Sequence, residues 1–294
     1  MSDDREQKNA IFSQQQQQVP QGVDPRMPRI SQTDKVKADF GLDIPHELAP
    51  LPSSGKVYPP ESSFHNVDAV EIRAMTAREE DILTSRALLK KGTVISELIK
   101  SCLVDKSMNS LDLLSGDRNA LMVAIRITGY GHEYNVEVEC PECGVKSPHE
   151  FNLAELPIRR LEIEPVSPGL NLFEFMLPYS KKVVRFKFLT GKNEEEMVQL
   201  ADKQKKLGLN SSESNVTTNL LYSIVSVDGV EDRAKIANFV KNMPARDSLA
   251  LRNYMKDNEP GIVMKQDTVC NACGHQEEVN MPIGVTFLWP NAGR

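Results

Sequence analysis

Two short stretches decide the fold: Cys140-Pro141-Glu142-Cys143-Gly144 and Cys270-Asn271-Ala272-Cys273-Gly274-His275. Each is a C-x-x-C turn followed directly by glycine. The two-residue spacer lets one tight turn aim both sulfurs at one ion, and two such turns supply the four thiolates of a tetrahedral structural zinc site. The glycine permits positive φ, so the chain can leave the turn without a Cβ clash. The alternatives are two disulfides or a redox-active pair. The N-terminus is polar and has no apolar h-region, so no signal peptide is expected. Disulfides are rare in a reducing compartment. A redox C-x-x-C needs a βαβ context, and a glycine and a hairpin around each turn argue against it. Cys140, Cys143, Cys270 and Cys273 are therefore expected to hold one structural zinc.

Working outward from the first turn, Glu133 to Glu139 places Tyr134, Val136 and Val138 on one side, and Val145 to Leu153 returns. Around the second turn, Ile262 to Val269 leads in and Gln276 to Met281 leads out. Each turn is expected at the tip of a β-hairpin, the two hairpins packing side by side as a split ribbon. The long insert between them must bring its ends back together, with the ion closing that loop. The expected class is α+β: a split four-cysteine zinc ribbon of two β-hairpins, an N-terminal helical segment and an inserted small helical unit.

Residues 1–48 read as a disordered tail. They hold the tract Gln14 to Gln18 and few apolar residues to offset the entropy of ordering. Residues 49–190 form an N-terminal α+β segment with the first knuckle. It opens with a proline-fixed extended strap around a Ser-Gly turn, followed by a strand over Ala69 to Ala74. Thr76-Ala77-Arg78-Glu79 is a capping box, starting a helix that should run to Lys91 and stop at Gly92. Val94, Ile95, Leu98, Ile99 and Cys102 share one face of a second helix, which makes Cys102 a core residue rather than a reactive thiol. Asp117 starts a third helix that ends at Gly129-Tyr130-Gly131, and 184–189 is another strand. Residues 191–261 form the helical insert, with helices capped by Asn193 and spanning Ser214 to Val227, Asp232 to Asn242 and Ala245 to Lys256. Residues 262–294 carry the second knuckle and a tail whose Phe287-Leu288-Trp289-Pro290 either caps the ribbon or anchors a partner.

The formal net charge is −6, so the electrostatic footprint of a nucleic-acid binder is absent overall; Arg159-Arg160 and Lys181-Lys182 are local basic spots only. No apolar run reaches the length of a membrane span. No Ser-His-Asp set, phosphate-binding glycine loop or H-E-x-x-H is present, and no small-molecule substrate is expected. The histidines at 46, 65, 132, 149 and 275 show no regular spacing. His275 could replace a cysteine, but four thiolates already fill the shell. Glu79-Glu80 and Glu277-Glu278 read as solvated faces.

A series of ordered blocks resembles the baseplate hub proteins of contractile-tailed, T-even-like bacteriophages. The blocks are Met75-Thr76-Ala77-Arg78-Glu79-Glu80-Asp81-Ile82-Leu83-Thr84-Ser85, Leu88-Leu89-Lys90-Lys91-Gly92-Thr93-Val94, Gly116-Asp117-Arg118-Asn119-Ala120, Ile127-Thr128-Gly129-Tyr130-Gly131 and the Cys140 knuckle. The likeness is strongest over residues 50–165. It implies a non-enzymatic hub component or hub assembly factor whose partners are other baseplate and tail proteins. Its location would be the virion tail baseplate, or the host cytoplasm during assembly. The competing readings are a transient tail assembly chaperone absent from the virion and a zinc-ribbon nucleic-acid-binding protein.

Overall fold

The computed structural model describes residues 41–206, 215–281 and 285–288. The glutamine tract and Trp289 lie outside the described residues. The first strand, β1 (His46–Pro50), opens inside the stretch expected as tail and pairs antiparallel with β2 (Ala69–Arg73), His46 opposite Arg73. Val70 and Ile72 point into the core from β2. The expected extended strap between them is instead a run of turns, with Ser54 N–H on Leu51 O and Lys56 N–H on Ser53 O. Gly55 (φ +69°) is obligatory there, because a Cβ would sit 2.3 Å from Val67 N.

The single helix expected from Thr76 to Lys91 is two: α1 (Ala77–Thr84) and α2 (Arg86–Lys91). Ser85 has extended geometry (ψ 105°) and its hydroxyl accepts the Leu88 N–H, so it caps α2 as α1 ends. Gly92, left-handed at φ 71°, stops α2 as expected. In α3 (Val94–Cys102) the apolar stripe holds, and Cys102 is fully buried. Burial pushes its thiol up to about 12. Helix α4 (Ser115–Tyr130) begins two residues before Asp117 and buries Ala120, Leu121, Val123 and Ile125. Gly131 ends it.

The first hairpin is β3 (Glu133–Glu139) and β4 (Lys146–Asn152), in register from Glu133 opposite Asn152 to Glu139 opposite Lys146. Short strand β5 (Ile158–Arg159) follows. Strands β6 (Phe173–Met176) and β7 (Val183–Phe186) pair antiparallel and stack Phe173 on Phe186. Next come α5 (Gly191–Lys206) and α6 (Asn215–Ser223).

Here the expected helix through Val227 is corrected. Residues Ile224–Val227 form β8, hydrogen-bonded to β7 with Val184 opposite Val227. The run Ile-Val-Ser-Val is rich in β-branched residues and alternates, burying Ile224 and Ser226 against the sheet. The insert is therefore not a purely helical unit, since its strand completes a sheet begun by β6 and β7. Helices α7 (Arg233–Asn242) and α8 (Ala245–Asn258) follow, then β9 (Gly261–Ile262). The second hairpin is β10 (Lys265–Val269) and β11 (Gln276–Asn280), and a final turn, α9 (Val285–Leu288), buries Phe287 and Leu288. Phe287 packs edge-on against Tyr134 of β3 at 5.1 Å between centroids.

Strand β9 returns to pair with β5, Ile158 opposite Ile262 and Arg159 opposite Gly261. Gly116 in α4 makes this return possible. A Cβ on it would lie 1.7 Å from Pro260 O. The fold brings the two ends of the insert together at this point, next to the bases of both hairpins.

Candidate metal centre

The two knuckles are the same local structure built twice. In the first, Gly144 N–H bonds Cys140 O (2.8 Å) and Cys140 N–H bonds Val145 O (3.1 Å); in the second, Gly274 N–H bonds Cys270 O (2.9 Å) and Cys270 N–H bonds His275 O (2.8 Å). Gly144 and Gly274 both take positive φ, 69° and 74°, the conformation that glycine adopts without a Cβ penalty. Facing each other, the tips place Cys140 Sγ 3.7 Å from Cys273 Sγ and Cys143 Sγ 3.7 Å from Cys270 Sγ. All four sulfurs lie within 4.8 Å of one another.

That spacing fits an ion at the centre. A tetrahedron with metal–sulfur bonds of about 2.3 Å has sulfur–sulfur edges of about 3.8 Å. A four-sulfur tetrahedron suits zinc or iron, and four protein ligands leave no position for water or substrate. The electrostatics agree with a cation there. Backbone N–H groups of Cys273 and Ala272 hydrogen-bond the Cys270 sulfur and bring its thiol down to about 6. At Cys273 the His275 N–H favours the thiolate. Burial and the neighbouring sulfurs Cys143, Cys270 and Cys140 outweigh it and push the thiol up to about 12. Four thiolates crowded together resist ionising unless a cation compensates them.

His275 stands outside the sulfur group, its Nε2 4.0 Å from Glu277 Oε2. A narrow groove between the hairpins is lined by Val138, Ser147, His149, Thr268 and Glu277, and Ser147 Oγ lies 3.1 Å from His149 Nε2.

Away from the cysteines, the structure shows polar centres that sequence reasoning missed. Asp117, read only as a helix start, is fully buried. It accepts hydrogen bonds from Ser53 N–H (2.9 Å), Ser53 Oγ (2.6 Å) and Tyr58 Oη (2.5 Å), while Tyr58 Oη accepts the Leu114 N–H. These bonds staple the turns after β1 to the start of α4. Burial raises the Asp117 carboxyl despite the bonds from Ser53 and Tyr58. Arg118, also buried, donates to Ser96 Oγ and Ser110 O and pairs with Glu194 of α5 at 3.3 Å. Gly191 makes room for it, since a Cβ there would lie 1.9 Å from Arg118 Nη1. The signal for both was the block Gly116-Asp117-Arg118, a charged pair beside a glycine.

Glu79 corrects another expectation. It is buried rather than solvated and takes a two-pronged ion pair from Arg73 (3.0 and 2.6 Å), with Ser101 Oγ and the N–H and hydroxyl of Thr76 also donating. Its neighbour Glu80 accepts from Tyr130 Oη at 2.6 Å.

Residues 46–289 match the family model described as T4 bacteriophage base plate protein. No curated protein and no solved structure matches the chain.

Proposed function

The chain belongs to the T4 bacteriophage base plate protein family, and from that premise we propose that it serves at the hub of the phage base plate as a non-catalytic component. One zinc ion on Cys140, Cys143, Cys270 and Cys273 holds its double hairpin. The observation that carries the metal half is the convergence of four sulfurs from two identically built knuckles. The hub assignment is supported by the ordered blocks from Met75 to the Cys140 knuckle, three of which hold Glu79, Gly116, Asp117, Arg118 and the Gly131 stop of α4 in structural roles. Its partners are other tail proteins, met through surfaces outside the cysteine site, because a filled thiolate shell offers nothing to a substrate. We further propose that residues 1–44 are separable from the remainder, so that deleting them leaves the melting temperature unchanged.

Elemental analysis of protein purified without added metal tests the ion. One zinc per chain is expected, and a folded chain free of metal would falsify the assignment. Mass spectrometry of intact particles tests the place: a base plate component stays in the virion, whereas a factor that acts only during assembly leaves it.

A further inference from the structure

The charge of this protein is concentrated in one place. Residues 133–152 carry Glu133, Glu137, Glu139, Glu142 and Glu150 against Lys146, a net of −4; residues 265–280 carry Asp267, Glu277 and Glu278 against Lys265, a net of −2. Together they equal the −6 of all 294 residues. The carboxylates lie on the outward faces of the two hairpins, where Glu133, Glu137, Glu139, Glu150, Asp267 and Glu278 are exposed. Asp267 stands directly opposite Glu278, which pairs with Lys265. Beside the knuckles, Val145 and Val269 are 44% and 50% exposed. The two hairpins form separate two-stranded sheets, and among the described residues no further strand pairs with their edges.

The complement is on the same chain. Helix α2 reads Arg86-Ala87-Leu88-Leu89-Lys90-Lys91, has no buried residue and holds no acidic one. Among the described residues Arg86, Lys90 and Lys91 enter no ion pair. Leu89 is 43% exposed, and Val198 of α5, 42% exposed, lies where a Cβ on Gly92 would touch it. The hairpin faces carry a net negative charge even with Lys146 and Lys265 paired to Glu139 and Glu278, α2 carries a net positive one, and each has exposed apolar residues beside its charges, the composition of a docking surface. Among the described residues no ion pair joins the two surfaces within one copy.

We propose that the acidic double hairpin of one copy docks on the basic α2 surface of a second copy. The contact is heterologous, so successive copies form a ring if the rotation closes and a filament if it does not. Charge on both sides makes it sensitive to salt. The reading does not depend on which metal the cysteines hold, only on the hairpins being folded.

The test is sedimentation of the purified full chain at roughly 50 and 500 mM salt, bracketing the range where screening sets in, with metal content measured on the same sample. Association at low salt that disperses at high salt is expected. Glu137→Lys with Asp267→Lys should weaken it about tenfold or more, as should Lys90→Glu with Lys91→Glu. Mixing the two charge-reversed proteins should restore association. Glu137→Gln with Asp267→Asn covers the case in which reversal disturbs a hairpin, and should weaken it in the same direction. A metal-loaded chain that stays monomeric at both salts overturns the proposal, as does association indifferent to the reversals. A monomeric chain that also lacks metal and hairpin structure overturns the metal assignment first.

Discussion

The body of the protein and its double hairpin are stabilised by different means. The body buries a continuous interior: Leu51, Phe64, Ile72, Leu98, Leu121, Phe186 and Leu251 all belong to one apolar cluster. Its buried polar groups are satisfied by several partners each: donors at Asp117 and Glu79, acceptors at Arg118. The hairpins are nearly the reverse. Strands β3 and β11 alternate half-buried with exposed residues and contain no buried one. Only their bases are anchored, through Phe151, Met281 and the contact of Tyr134 with Phe287. Two-stranded hairpins alone are marginal in water, so the tips depend on the sulfur cluster. The contrast also changes what an ion on the four cysteines would have to do. The long insert is already closed by β5 on β9 and by Gly116 against Pro260, so the proposed metal would close only the short remainder between two anchored hairpins. The loop-closure cost that remains is correspondingly modest.

The largest expected effect tests this division directly. Structural zinc supplies on the order of 10 kcal/mol of apparent binding free energy near neutral pH. Cys273→Ser should release most of that from the tips and little from the body. Limited proteolysis should cut residues 133–152 and 265–280 rapidly while the rest melts cooperatively near the original temperature. Loss of cooperative melting throughout would show that the body depends on the ion, and the two-region picture would fail.

The next effect is in the joint between the regions. Gly116→Ala places a methyl group against backbone atoms that cannot rotate away, so α4 and β9 must separate. Overpacking of this kind costs about 1–3 kcal/mol and occasionally more, outweighing the gain of about 1 kcal/mol from replacing a helical glycine. A lower melting temperature is expected, together with weaker metal retention in a chelator competition, because the hairpin bases lose their alignment. A change in one reading without the other would separate the joint from the site.

Acid should take the two regions apart in order. Burial alone would raise the Glu79 carboxyl, but hydrogen bonds from Arg73, Ser101 and Thr76 outweigh it and bring it down to about 2. A depressed carboxylate contributes stability that is complete above its unfolded value near 4.5 and is lost as pH falls toward 2. The hairpins let go earlier, because protons compete with the metal for thiolates. Falling pH should therefore release metal first, with the body's transition following below about 4.5. Glu79→Gln should flatten that second transition and leave the metal release where it was. One merged transition, measured by circular dichroism and metal release together, would contradict the separation.

What the amino acids disclosed follows the same division. The knuckles were legible because their chemistry is local: two cysteines, a spacer and a glycine are complete within five residues. The packed face of α3 was legible from its period. The strand β8 was not, because Val216, Leu220 and Ile224 also fit a helix. Only the presence of β7 beside it decides that Ile224 to Val227 is extended. Strands β5 and β9 hold two residues each, too few for any pattern. Asp117 was unreadable as a buried carboxylate because its donors, Ser53 and Tyr58, lie 64 and 59 residues away. Trp289 falls outside the described residues.

The smallest expected effect concerns the break between α1 and α2. Ser85 ends one helix and caps the next, yet its bond to Leu88 N–H is long at 3.5 Å. A good N-cap serine is worth about 1 kcal/mol, and a bond this long contributes less. If the hydroxyl causes the break, Ser85→Ala should lose a few tenths of a kcal/mol to 1 kcal/mol and let the helix run continuously to Gly92, with a gain in helical circular dichroism. If packing causes it, stability should fall by the same small amount with no gain in helix. The second outcome is expected. Leu83 of α1 is fully buried and Glu79 is tied to Arg73 and Ser101, whereas Gly92 at the end of α2 is fitted against Val198. A straight helix of the same residues cannot satisfy both ends, so the bend at Ser85 persists without its hydroxyl. An increase in helical signal on Ser85→Ala would mean that the α2 surface is set by one side chain, and α2 would then be free to realign.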